Sequence, residues 1–180
     1  MKAACDHRSL RSRLGNTRRG AAATEFALIY ASLVLPLTMM LIFTAQLLWA
    51  WHSAVDFTRE GARYAATHCW QPGGGNVTSW MRTNAPPVVG RDQIVNGEVD
   101  LEVVYFSKDP DSSTLTEFSC EGAECSRECV PDTVRVRLVN AQFRSFMSYL
   151  GLPPVPMPNF QTSLPMESAG CSPDSEECLP

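Results

Sequence analysis

Arg18-Arg19-Gly20-Ala21-Ala22-Ala23-Thr24-Glu25-Phe26 joins a basic leader to a long apolar run, with a glycine at the junction and one carboxylate at the head of the run. From Phe26 to Trp51 there is no Asp, Glu, Lys, Arg or His. A helix over those positions is roughly 39 Å long at ~1.5 Å per residue, more than the ~30 Å hydrocarbon core of a bilayer requires. The stretch therefore predicts a membrane-spanning helix. Before Gly20 lie Lys2, Arg8, Arg11, Arg13, Arg18 and Arg19 against Asp6 alone. Basic flanks stay on the cytoplasmic side, so the chain is expected N-in and C-out.

A secretory signal peptide also pairs a basic region with apolar residues, but its apolar core is usually ~7 to 15 residues and ends near a small-residue cleavage site. This run is about twice that length, which favours a retained segment over one removed near Ala50 or Ala54. Glu25 argues against an ordinary anchor. A carboxylate just inside an apolar segment is costly and tends to have a partner or a task, unless it sits at headgroup level where water reaches it.

Gly20, Ala21 and Glu25, the fifth residue of a chain that would begin at Ala21, resemble the processing site of type IV pilin-like proteins. Thr58-Arg59-Glu60-Gly61-Ala62-Arg63-Tyr64-Ala65-Ala66 resembles the R-E-G-A-R segment of TadE-like pseudopilins from the tight-adherence (Tad/Flp) pilus system. The resemblance covers roughly residues 15 to 70; Phe26 departs from the Glu-Tyr pair of the major pilins and favours a minor pseudopilin. It implies cleavage after Gly20 by a prepilin peptidase, with Ala21 as the new amino terminus. It also implies that Glu25 neutralises that amine on a neighbouring subunit in an apolar bundle, where an unpaired charge is expensive. The partners implied are other pilins or pseudopilins and the Tad inner-membrane assembly platform, with no cofactor.

Beyond the membrane the helix has no reason to stop at once. No proline interrupts Trp49 to Cys69; Val55, Thr58, Ala62, Ala65 and Ala66 recur at helical spacing; and Gln71-Pro72-Gly73-Gly74-Gly75 ends the pattern. A continuous helix of roughly 45 residues is predicted, with Pro36 kinking it or being accommodated by neighbouring helices. Asp56, Arg59, Glu60 and Arg63 form a solvated, pair-forming face. Gly61, Ala62, Ala65 and Ala66 permit a close approach of the exterior domain. Trp49, Trp51 and His52 fit the water interface.

The exterior portion is long enough for one small core. Val99, Leu101, Val103 and Tyr105 alternate with Asp100 and Glu102, and Val134, Val136 and Leu138 alternate with Arg135 and Arg137. Both read as half-buried strands, and antiparallel pairing would set the carboxylates against the arginines. Phe143, Phe146, Met147 and Leu150 predict a short amphipathic helix over Ala141 to Leu150, stopped by Gly151. Pro153, Pro154, Pro156 and Pro158 predict an extended link, and Phe160, Thr162, Leu164 and Met166 a third strand at an edge because of Pro165. The expected fold is α+β: a long N-terminal transmembrane helix continuing into a small antiparallel-sheet, disulfide-stapled exterior domain. Its divisions are a leader at 1–20, the span at 21–52, the helix continuation at 53–71, and an α+β domain with a mobile C-terminal tail at 72–180.

Of the seven cysteines, Cys5 lies in the leader, leaving Cys69, Cys120, Cys125, Cys129, Cys171 and Cys178 on the oxidising side, an even set suited to disulfides. The preferred arrangement joins Cys171 to Cys178 and Cys69 to one of Cys120, Cys125 and Cys129. That cluster lacks the paired C-x2-C spacing of common zinc folds, so no metal is assigned. The balance of Asp+Glu 19 against Lys+Arg 15 gives a net charge of -4, and the leader holds many of the cations, so no extended basic surface recommends nucleic acid. No G-x-S-x-G, H-E-x-x-H or phosphate-cradling loop occurs. Gly73-Gly74-Gly75 reads as a turn, and Asn76-Val77-Thr78 matches a glycosylation acceptor.

These residues point to a minor structural or initiating component of the tight-adherence pilus rather than an enzyme. The alternatives are a signal-anchored envelope protein with a protein-binding, disulfide-rich ectodomain, or a membrane-tethered thiol or metal enzyme using Cys120 to Cys129.

Overall fold

A single helix, α1 (Gly20–Thr67), opens the structure. The computed structural model describes residues 20–87, 90–110, 112, 114–122, 124–144, 151, 153–166, 168–171 and 178. Contacts divide the chain into two compact units, Met1–Ala45 and Gln46–Pro180. Residues 1–19 of the leader, Cys5 among them, lie outside the described residues.

In the first unit the helix buries none of the side chains of its most apolar window. Ser32, Thr38 and Thr44 return their hydroxyls to carbonyls of the preceding turn, at 2.7, 2.8 and 3.0 Å, so these three hydroxyls are satisfied without solvent. Pro36 has no N–H and its ring crowds the preceding turn. The helix meets it with a π-helical turn at Tyr30–Val34, where the Leu35 N–H donates to the Tyr30 carbonyl. That wider turn is a recognised way of accommodating such a residue.

In the second unit the same helix becomes one-sided. Ala50, Ala54, Phe57, Thr58, Gly61, Ala62 and Ala65 are buried, a stripe at three- and four-residue steps that faces the core. Regular helix ends at Thr67, short of the expected Gln71. The backbone beyond is held by tertiary partners: the Trp70 carbonyl accepts from Cys125 N–H at 3.2 Å, and the Cys69 carbonyl from Asn76 Nδ2 at 3.0 Å.

A short 3-10 turn at Pro72–Gly74 leads directly into α2 (Gly75–Thr83), followed by α3 (Arg91–Val95). Gly75 thus begins a helix rather than completing a turn. Val77 and Met81, one helical turn apart, are its buried residues.

Four strands, β1 (Asp100–Lys108), β2 (Leu115–Glu117), β3 (Thr133–Val139) and β6 (Phe160–Pro165), form an antiparallel sheet in the order β2-β1-β3-β6. The register aligns Tyr105, Val134 and Leu164, then Val103, Val136 and Thr162, then Leu101, Leu138 and Phe160 across one face. This face is the core. On the other face Glu102 stands opposite Arg137, with Oε2 and Nη1 3.1 Å apart. The predicted strands and their charge pairing are present, and β6 occupies an edge.

The amphipathic helix expected from Ala141 is not formed where it should begin. Gln142–Phe143 is instead strand β4, paired antiparallel with β5 (Val155–Pro156). Phe143 is buried by this pairing, while the Gln142 carbonyl accepts from the buried Gln93 side chain at 3.0 Å. A helix would require those backbone groups for itself. Residues 145–150, including Phe146, Met147 and Leu150, lie outside the described residues.

Candidate functional site

Gly20 is already helical and exposed, and a Cβ placed on it would meet nothing within 4 Å. Ala21 follows in the same helix, and its carbonyl accepts the Thr24 hydroxyl at 2.8 Å. Glu25 is exposed, one turn beyond. Among the described residues no hydrogen bond or ion pair engages its carboxylate, leaving it open to a partner. Phe26 stacks on Tyr30 at 6.3 Å between centroids.

The dominant surface property is uncovered hydrocarbon. Phe26 is 71% exposed, Leu41 69% and Trp49 62%, and similar residues fill the positions between. A patch of this extent marks contact with lipid or with other proteins.

The R-E-G-A-R segment divides its roles by helical geometry. Gly61 and Ala62 are buried, whereas Arg59, Glu60 and Arg63 are exposed. A Cβ on Gly61 would lie 2.6 Å from Met81 Sδ, so the glycine is what lets α1 and α2 touch. The neighbouring Thr58 hydroxyl lies 3.1 Å from that of Thr162 on β6, and Trp51 packs edge-on against Phe160 at 5.1 Å. Tyr64 stacks on Trp80 of α2 at 4.7 Å. The segment therefore packs against the domain through its buried face and keeps a charged outer edge.

Three disulfides join Cys69 to Cys125, Cys120 to Cys129, and Cys171 to Cys178. The first ties the end of α1 to the loop between β2 and β3, and the second closes that loop. All three cluster sulfurs are thereby committed to S–S bonds rather than held as thiolates, the form a zinc site or nucleophile needs. Asn76 is likewise engaged: its Oδ1 accepts from the Val77 N–H at 2.9 Å and its Nδ2 donates to Cys69. A glycan on that nitrogen would break the contact.

A cleft of about 330 Å³ opens beside the same loop, lined by Trp70, Pro72, Tyr105, Glu117, Phe118 and Cys120 among others. Trp70 and Phe118 meet edge-on at 5.6 Å. The Tyr105 hydroxyl is buried without a hydrogen-bond partner among the described residues, and burial raises its pKa to about 12. The described polar lining is Glu117, Tyr105, Ser119 and the bridged Cys120.

Sequence reasoning missed α2, α3 and β2, which carry much of this surface. The Val77 and Met81 spacing could have marked α2, but β2 is too short and too exposed to show alternation.

An uncovered apolar helix seated by a small-residue stripe on a disulfide-bonded α+β domain defines a class of single-helix, membrane-compatible proteins. Within that class, the family model described as TadE-like protein matches residues 20–63, and over that segment the chain is TadE-like. The match runs from Gly20 to Arg63, the last residue of the R-E-G-A-R segment. No curated protein and no solved structure matches.

Proposed function

We propose that this chain is a TadE-like pseudopilin, a minor structural or initiating component of the tight-adherence pilus machine. The carrying observation is the family match at 20–63, which coincides with a helix whose apolar surface is uncovered and whose leading carboxylate has no partner among the described residues. The chain inserts in the bacterial inner membrane with its N-terminus cytoplasmic, residues 21–52 spanning and residues 72–180 outside. A prepilin peptidase removes residues 1–20. Glu25 then meets the amino terminus of a neighbouring pilin or pseudopilin at the assembly platform, neutralising two charges that lipid would otherwise penalise. The disulfides support an exterior domain, since such bonds persist in oxidising compartments.

Terminal sequencing of protein extracted from envelopes tests this directly. The mature chain should begin at Ala21, methylated or not, with the whole apolar segment retained. Intact Met1 in cells with an active prepilin peptidase would leave a plain anchor, and a terminus beyond Trp51 would leave a secreted domain; either result defeats the proposal.

A further inference from the structure

The outer edge of α1 in the second unit carries four charges, of which only Asp56 and Arg59 pair with each other among the described residues. Asp56, Arg59, Glu60 and Arg63 alternate in sign along the helix. Asp56 and Arg59 stand 3.5 Å apart, with side chains 68% and 60% exposed. Among the described residues, Glu60 and Arg63 make no ion pair. At about 100° per residue, the four charges fall within an arc of about 100° opposite the buried stripe of Ala50, Ala54, Phe57, Gly61 and Ala65. The seat on the domain thus leaves this arc outward, and exposed Leu48 and Trp49 border it towards the apolar run.

The sign pattern is self-complementary in only some registers. Two parallel copies at equal height oppose like charges at every position, and a four-residue offset sets Asp56 against Glu60 and Arg59 against Arg63. An offset of three residues, about 4.5 Å along the axis, sets Asp56 of one copy against Arg59 of the next, and Glu60 against Arg63. Like-charge opposition excludes the wrong registers while the paired register gains modestly, which is how charged edges select a partner. An offset contact is heterologous. Each copy presents its acids to one neighbour and its bases to another, so the contact propagates rather than closing.

We infer that this edge is a parallel, three-residue-offset contact between copies of this chain. The inference rests on the one-way membrane insertion proposed above, which makes neighbouring helices parallel.

The test uses the full chain in lipid vesicles, with energy transfer between donor- and acceptor-labelled copies reporting self-association. Glu60→Arg, or Arg63→Glu, should weaken association about fivefold, because one attractive pair becomes repulsive. Carrying both changes in one chain should restore it to within about twofold, as should mixing the two single variants. Raising the salt from about 0.05 to about 0.5 M should weaken the unaltered chain as well. Non-reducing peptide mapping checks that each variant keeps its three disulfides. Single variants that associate like the unaltered chain, or a double variant no better than the singles, would overturn the contact while leaving the function reading intact. Protease protection in cells showing mixed or inverted insertion would overturn both.

Discussion

Replacing Cys69 and Cys125 together by alanine should destabilise the exterior domain more than any other pair of cysteine changes in the loop cluster. The bridge spans a sequence separation of 56. In the chain-entropy model, closing a loop of that size removes about 14 cal/mol/K from the unfolded ensemble, or about 4 kcal/mol at 25 °C. The Cys120–Cys129 bridge spans only 9, and the same relation gives about 2.5 kcal/mol. Cys69 and Cys129 are each 1% exposed, so alanine leaves a similar small void in either pair and the difference between them rests on loop length. Against a typical domain stability of about 5 to 15 kcal/mol, the loss is a large fraction. Urea unfolding of the full chain in detergent micelles, followed by tryptophan fluorescence, gives both values under one condition. Thermal unfolding should show a midpoint lower by roughly 10 to 15 °C for the longer bridge. Equal costs for the two bridges, or a cost below about 1 kcal/mol for Cys69–Cys125, would refute the argument that this bond works by tethering α1 to a distant loop.

Gly74 has φ 64 and its Cβ would lie 2.5 Å from that of Val103, whereas Gly73 has the same φ with nothing within 4 Å. Gly74→Ala should therefore cost about 2 to 4 kcal/mol in urea unfolding, and Gly73→Ala only about 1, since only the first adds overpacking to the backbone penalty. The Tyr105 phenol, raised by burial to about 12, favours its neutral form in the folded state more than in the unfolded one. Its contribution to stability is complete below pH ~10 and is lost as pH rises through about 12, because the unfolded chain there binds fewer protons. Tyr105→Phe should flatten that alkaline slope and leave neutral-pH stability unchanged or higher, having removed a buried hydroxyl without a partner among the described residues; a persisting slope would place the titration elsewhere.

Much of the architecture was legible because it rests on local periodicity. The apolar run needs no partner to be recognised as a helix, and Gly61, Ala62 and Ala65 announce a close approach wherever the domain lies. Alternation in β1 and β3 exposed the inner and outer faces, and Glu102 opposite Arg137 followed from it. The pairing of Cys69 with Cys125 was open, since any of three cysteines in the loop satisfied the same expectation. Phe143 shows the opposite case. Its spacing with Phe146, Met147 and Leu150 fits a helix, yet β5 and Gln93 claim the Gln142–Phe143 backbone from positions remote in sequence. Pro36 lies between: its disruption was foreseeable, but the π turn at Tyr30–Val34 that absorbs it was not.

Sequence alone therefore determined the features whose energetics are one-dimensional. They are an apolar run without charge, the basic flank before it, the lone carboxylate at its head, and a motif read as contiguous letters. Tertiary structure decided whatever depends on distant segments meeting. It turned the R-E-G-A-R segment into two faces, burying Gly61 against Met81 and leaving Glu60 and Arg63 outward. It ended α1 at Thr67 by giving the next carbonyls to Cys125 and Asn76, and it chose which sulfur Cys69 meets. The physical reason is that hydrophobicity and charge act on a residue wherever it lies, whereas hydrogen bonds, close packing and disulfides need a particular partner within a few ångströms.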